Sequence, residues 1–319
     1  MTVLKFLTAL FLYVTSAFLF SGCNLGNDSA DNDKKVESGN PKIYLITMDK
    51  KSPYWSELDE GCRQAVSEIG NIDYQWLASA ERDITQQGEC IDQAVAEGAR
   101  AILISPVSEK QLNPNLEAAD KAGVKIIYVD SAANYPGVAT LMTDNRNAGK
   151  TAGEIMLKAL QEKGVRSGMI GVMANTPISL NTELRLKGFR DVFEGTDFVL
   201  APDFFANGNR QAAMFTLKGR ANYVGFFGAD QTSTIFIGDQ TDDSMANSVI
   251  VGFDTAEPTV ALVKSGNIYA TIKQNAQTMG HDGVEIALKA IKGEMENKNV
   301  VIDTGVTIIT KDNVNLLDN

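Results

Sequence analysis

The sequence predicts an α/β protein built as two doubly wound lobes, and three observations predict it. From Lys42 onward, short apolar, β-branched runs alternate with amphipathic stretches of helical length, the signature of βαβ units. The runs are hydrophobic almost without a break, which suits parallel strands covered on both faces. Roughly ten such units exceed what one compact sheet holds, so a chain of 319 residues divides its core in two.

The N-terminal segment stands apart from that body. Lys5 places a positive charge ahead of an apolar run from Phe6 to Phe20, and Ser21, Gly22 and Cys23 follow. The run is short for a membrane span, which needs about 20 residues, and suits a secretory signal over 1–22. Small residues directly before a cysteine resemble the lipobox of bacterial lipoproteins, with Phe20 where leucine is usual. That resemblance implies that Cys23 is acylated and anchors the mature chain to a membrane. Ordinary cleavage near Cys23, or an uncleaved anchor, are the alternatives. Asn24 to Asn40 carries almost nothing to bury, so 23–41 reads as a flexible tether.

In the body, the strand candidates in order are Ile43–Thr47, Ile72–Trp76, Ala101–Ile104, Val124–Val129, Met169–Met173, Tyr223–Phe227, Val249–Gly252 and Tyr269–Lys273. Helical spacing of apolar residues marks the stretches between them, as in Leu58, Cys62, Ala65 and Ile69, in Ile84, Ile91, Ala94 and Val95, and in Ile155, Leu157 and Ala159. The segment after Asp230 is the poorest helix former, because Thr232, Thr234, Ile235, Ile237 and Gly238 are β-branched or flexible.

Composition narrows the function. With 29 basic and 40 acidic residues the formal charge is −11, against a nucleic-acid partner. One histidine removes most zinc sites and Ser-His or Cys-His catalytic arrangements. Ala148-Gly149-Lys150-Thr151 ends like a phosphate-binding loop, but Asp144 stands where its first glycine is required. Neither a Gly-x-Ser-x-Gly elbow nor a Gly-x-Gly-x-x-Gly fingerprint occurs, so no enzyme and no cofactor is expected. His281 reads as an exposed structural residue near the start of a helix. Cys62 and Cys90 fall on the first two helices of the body, where either two thiols or a disulfide is open, since export permits a disulfide.

The informative positions lie at the strand ends, where ligands bind in open α/β sheets. Ser52, Tyr54 and Trp55 follow the first strand, and Asp130 and Ser131 follow the fourth. Asp230, Asp254 and Gln274 follow later runs. Clustered aspartates are compatible with a metal. A sugar is more economical, because carboxylates and carboxamides pair with adjacent hydroxyls while aromatic rings cover C–H faces.

These motifs, in order, are Ile43-Tyr44-Leu45-Ile46-Thr47, Ser52-Pro53-Tyr54-Trp55, Val129-Asp130-Ser131, Thr143-Asp144-Asn145, Arg185-Leu186-Lys187-Gly188-Phe189, Val251-Gly252-Phe253-Asp254 and Ala270-Thr271-Ile272-Lys273-Gln274. Together they make Lys42 to about Lys311 resemble the ribose-binding-protein group of solute-binding proteins that serve ABC importers. The resemblance implies the type I periplasmic binding protein fold, two lobes joined by a three-segment hinge. The N-terminal lobe would hold 42–143 and 275–303, and the C-terminal lobe 144–274 and 304–319. It implies a monomer that delivers a monosaccharide or related polyol to a membrane permease; a sensor subunit for a chemoreceptor or membrane kinase, or an enzyme on this fold, are the alternatives.

The same resemblance carries ligand contacts to Tyr54 and Trp55 as ring-stacking aromatics, and to Asp130, Arg185, Asp254 and Gln274 as hydrogen-bonding partners. Phe205 would stack from the second lobe. Asp230 falls where ribose binders commonly have asparagine. Ser131 stands in place of a second arginine, and Met48 in place of a small polar residue. The site is therefore less cationic than a ribose site, and a different sugar or polyol is expected.

Overall fold

The structure is a computed structural model that describes residues 39–319 apart from 221, 241–244, 246, 296–298 and 319. Cys23, the signal segment 1–22 and the tether up to residue 38 lie outside the described residues.

The first sheet is formed by β1 (Lys42–Thr47), β2 (Asp73–Ala78), β3 (Ala101–Ile104), β4 (Lys125–Val129), β5 (Ala139–Met142) and, much later in the chain, β12 (Val300–Asp303). Its order is β12-β5-β4-β3-β1-β2, and every pair is parallel. The helices α1 (Pro53–Ile69), α2 (Ile84–Ala96), α3 (Asn113–Lys121) and α9 (Ala276–Ile291) cover it.

The second sheet contains β6 (Gly168–Ala174), β7 (Phe198–Leu200), β8 (Phe204–Phe205), β9 (Gly225–Gly228), β10 (Val249–Phe253), β11 (Ala270–Gln274) and β13 (Val306–Thr310). Its order is β13-β11-β10-β9-β6-β7, with β8 also paired to β6, and only β13 runs antiparallel to its neighbour. Helices α4 (Asn145–Glu162), α5 (Leu180–Phe193), α6 (Arg210–Lys218), α7 (Gln231–Gly238) and α8 (Glu257–Ser265) accompany it, and a short 3-10 helix, Val314–Asp318, ends the chain.

Each sheet is buried on both faces, as continuous apolar strands require. Along β1, Ile43 and Leu45 join the core beneath α1 and α9, while Tyr44 and Ile46 join the core beneath α2 and α3. Cys62 lies in the first of these cores and Cys90 borders the second, so the sheet separates two free thiols.

The chain passes between the sheets three times, after Met142, after Gln274 and after Asp303. The crossings are tied to one another. Asp303 Oδ1 accepts the amides of Asp144 and Gly305, both at 2.9 Å. Thr143 Oγ1 donates to Gln274 Oε1 at 3.1 Å, and Asn275 Nδ2 donates to Thr304 O at 3.0 Å.

Each sheet carries one helix pair in backbone contact. In α1·α9, a Cβ on Gly61 would lie 1.9 Å from Gln277 O, and one on Gly280 would lie 2.0 Å from Leu58 O. In α4·α5, a Cβ on Gly149 would lie 2.0 Å from Arg185 O, and one on Gly188 would lie 1.9 Å from Arg146 O. Any side chain at these four positions would force the helices apart.

Some local expectations shift. The strand expected at 72–76 runs Asp73–Ala78, and the one expected at 223–227 runs Gly225–Gly228. The segment after Asp230 is helical despite its composition. Asp230 accepts from Ser233 N while Ser233 Oγ accepts from Asp230 N, and this capping box offsets the weak propensity. Ile69 is exposed rather than part of the buried α1 stripe. His281 lies in the second turn of α9, half-buried rather than exposed, with Nε2 3.0 Å from Glu68.

Candidate ligand-binding site

A cavity of about 620 Å³ lies where the carboxyl ends of strands from both sheets meet. It is lined by Ser52, Tyr54, Trp55, Asp130, Ser131, Arg185, Asp230, Asp254 and Gln274, nine of the ten binding residues expected from sequence. Phe205 is the exception. It sits on the short β8 and borders a separate hollow of about 270 Å³ with Pro177, Leu186 and Arg190, so the structure does not bring it to the main cavity. Its register is set by pairing with β6, Phe205 opposite Ala174, and a turn at Asn207-Gly208 with positive φ at both residues follows.

Two aspartates occupy matching places. Asp130 follows β4 and Asp254 follows β10, each the third strand in its sheet order. Both have left-handed backbone, with φ of 65° and 66°. Asp130 N donates to Leu141 O and Asp254 N donates to Ile272 O, each at 2.9 Å on the neighbouring strand. Aspartate is among the few side chains that tolerate this conformation, and such outliers cluster at ligand sites.

From the first sheet, Ser52 caps α1, Pro53 begins it, and the chain then presents Tyr54. Tyr54 Oη donates to Asp130 Oδ1 at 3.1 Å. Ser105, at the end of β3, donates to Asp130 Oδ2 at 3.4 Å and lies 3.2 Å from Ser131 Oγ. Burial pushes the Asp130 carboxyl above the usual range, although Arg185 and Tyr54 pull it down. Burial, reinforced by Asp130, pushes the Tyr54 hydroxyl well up, so it stays a neutral donor. Trp55 borders the cavity while only 3% exposed, and it meets Tyr54 edge-to-face at 4.9 Å.

From the second sheet comes Arg185, 4% exposed. Its Nε donates to Asn145 Oδ1 at 2.7 Å, its Nη1 donates to Ala229 O at 3.2 Å, and its guanidinium lies 4.1 Å from the centre of the Phe253 ring. The planar fork is held in place with N–H groups to spare. Gln274 Nε2 donates to Asp254 Oδ1 at 2.8 Å. Asp230 differs from these, because both its oxygens are engaged locally, by Ser233 N at 2.9 Å and Asn175 N at 2.6 Å. It caps α7 as well as lining the cavity, and burial raises its carboxyl even against those two amides.

Sequence reasoning passed over Arg82, Ser105, Glu109, Met142 and Asn175, all at or beside the cavity. Ser105 directly follows the β3 run and had the same strand-end signal as Asp130. Arg82 sits in a polar loop before α2, where no periodicity points to a site. Among the described residues, no group of three or more His, Cys, Asp or Glu is placed to hold a metal.

Two doubly wound lobes, three crossings and a polar cavity between facing strand ends define a two-lobed ligand-binding protein. Residues 43–295 match the family model described as periplasmic binding protein domain, and the chain belongs to that family. A xylitol-binding protein of Mycolicibacterium smegmatis is 26% identical over 312 residues, covering 93% of this chain and 83% of the relative. A sugar-binding protein of a sugar ABC transporter from Bacillus halodurans superposes with a TM-score of 0.80 at 26% identity, covering 87% of this chain and 99% of that one. A carbohydrate transporter solute-binding protein from Agrobacterium radiobacter, solved in complex with D-arabinose, gives a TM-score of 0.75 at 28% identity, covering 88% and 100%.

Proposed function

We propose that this chain is an extracytoplasmic binding protein that captures a monosaccharide or related polyol between its lobes and delivers it to an ABC permease. The observation that carries the reading is the convergence of acceptors and donors from two separate sheets on one cavity: Tyr54 and Asp130 from the first, Arg185, Asp254 and Gln274 from the second. Burying a hydroxyl without a partner costs about 1–3 kcal/mol, so a polyhydroxylated ligand needs this density of fixed partners. The similarity to sugar-binding relatives supports the same class of ligand.

The lobes are 42–143 with 275–303 and 144–274 with 304–319, and the three crossings serve as the hinge on which they close. The protein binds without turnover and acts as a monomer, anchored through acylated Cys23 and the tether. Thermal-shift screening of the body against pentoses, hexoses, deoxy sugars and polyols tests the reading, because a ligand that binds only the folded state raises its melting temperature. A sugar that shifts the melting temperature and then saturates one site by calorimetry supports it. A panel that produces no shift refutes it.

A further inference from the structure

The first sheet's side of the cavity is rich in carboxylate and hydroxyl groups, through Tyr54, Asp130 and Ser131, whereas the buried guanidinium belongs to the second sheet. One other cation lines the cavity among the described residues: Arg82, from the loop between β2 and α2. Its side chain is 63% exposed, yet it is tethered to a carboxylate that is only 7% exposed. Arg82 Nε donates to Asp49 Oδ2 at 2.8 Å, and Asp49 Oδ1 accepts the amide of Lys51 at 2.8 Å.

The base of this pair is rigid. Thr47 Oγ1 donates to Asp49 O at 2.7 Å, and Ser79 Oγ donates to Met48 O at 2.9 Å, so the chain beyond β1 is fixed to β1 and to the end of β2. Burial by itself would raise the Asp49 carboxyl, but Arg82 and the Lys51 amide hold it below the usual range. A buried carboxylate is costly unless paired, and here its partner is a side chain that lines the cavity. Asp49 takes the Nε edge of the guanidinium and leaves the two terminal nitrogens for a ligand.

We infer that Arg82 is a ligand contact of this cavity, aimed by Asp49, which donates its terminal N–H groups to oxygens of the bound sugar from the first lobe, opposite Arg185. Asp49 is a positioning residue, since it acts through Arg82. The inference rests on the sugar reading above. A guanidinium fork matches paired, adjacent oxygens better than a single one, so Arg82 favours ligands with vicinal hydroxyls at that end over deoxy analogues.

The test uses the sugar that shifts the wild-type melting temperature most, with its deoxy analogues, in calorimetry on Arg82→Ala, Arg82→Lys, Asp49→Asn and the Arg82→Ala/Asp49→Asn double variant. Arg82→Ala is expected to weaken binding roughly ten- to hundredfold, with Arg82→Lys recovering only part of it. The preference for the vicinal diol over its deoxy analogues should narrow. Asp49→Asn should weaken binding alone but add nothing in the Arg82→Ala background, which separates aiming the arginine from a general loss of structure. Arg82→Ala that binds within twofold of wild type overturns the inference while leaving the sugar reading intact. A wild type that binds no sugar overturns both.

Discussion

Gly149→Ala probes how the architecture of the second lobe holds its ligand-binding arginine. Gly149 lies on α4, and an added Cβ would sit 2.0 Å from the carbonyl oxygen of Arg185 on α5. The obstacle is backbone, which cannot swing aside, so the helices must separate by about 1.4 Å or more to restore ordinary contact. Alanine gains about 1 kcal/mol of helix propensity over glycine. Against that, overpacking costs about 1–3 kcal/mol. The Arg185 Nε to Asn145 Oδ1 bond, 2.7 Å long, spans the same two helices and is carried beyond hydrogen-bond reach. A buried bond to a charged group is worth about 1.5–3 kcal/mol. The losses win, with a net destabilisation of about 2–4 kcal/mol, which corresponds to a fall in Tm of about 3–7 °C for a protein of this size. Because Arg185 itself moves, affinity for the bound sugar should fall at least about tenfold, or about 1.4 kcal/mol. Differential scanning calorimetry and titration calorimetry read the two effects. Gly88→Ala on α2 is the control: the atoms nearest its Cβ belong to the Asn115 side chain, at 3.2–3.4 Å, so affinity should stay near wild type and Tm should not fall as it does for Gly149→Ala. A Gly149→Ala protein that melts and binds like wild type would refute the argument.

Three further outcomes are expected. Arg185→Ala and Asp254→Ala should each weaken sugar binding by about 2–4 kcal/mol in calorimetry, because a buried partner of ligand hydroxyls is lost, and folded variants with unchanged affinity would remove them from the site. Affinity should fall on acidification starting above the ordinary aspartate range, since burial raises the Asp130 carboxyl and only its ionised form accepts at both oxygens; Asp130→Asn, which tolerates the positive φ, should flatten that profile. The stability of the ligand-free protein runs the other way at this residue. A folded pKa above the unfolded one contributes stability at low pH that is lost as pH rises through the folded value. Cys23→Ser should release the protein from membrane fractions, and a variant that stays membrane-bound while the wild type carries no acyl mass would dismiss the anchor.

The central strands were legible in the sequence because burial on both faces leaves no polar interruption, as in Ala101–Ile104, where all four residues are buried. The strands that escaped notice are short or exposed. Val300–Asp303 has no fully buried residue, Phe198–Leu200 and Phe204–Phe205 are too short for any periodicity, and Val306–Thr310 runs antiparallel with one buried position. Ala139–Met142 is apolar, but four residues between polar turns give no pattern. In the site, residues directly after a strong strand were recoverable from position alone. Phe205 does not border the main cavity, since its strand is a two-residue appendage to β6, and Arg82 carries no strand-end signal, since its partner Asp49 lies 33 residues away in sequence.

The two lobes solve one problem with the same parts in different chain order. Each fixes a strand-end aspartate in left-handed backbone, and each locks one helix pair through reciprocal glycines. In the first lobe the pair is α1·α9, so a helix that follows the second crossing is clamped against the helix that carries Tyr54 and Trp55. In the second it is α4·α5, which starts at the first crossing and carries Asn145 and Arg185. These contacts bring the two backbones of each pair closer than any side chain between them would allow. The three crossings are tied by hydrogen bonds of Thr143 to Gln274, of Asp144 to Asp303 and of Asn275 to Thr304. Gln274 belongs to both sets, bonding Thr143 at a crossing and Asp254 in the cavity. On the proposed hinge, a sugar that engaged Asp254 or Gln274 would act directly on a crossing contact, a physical route from binding to lobe closure.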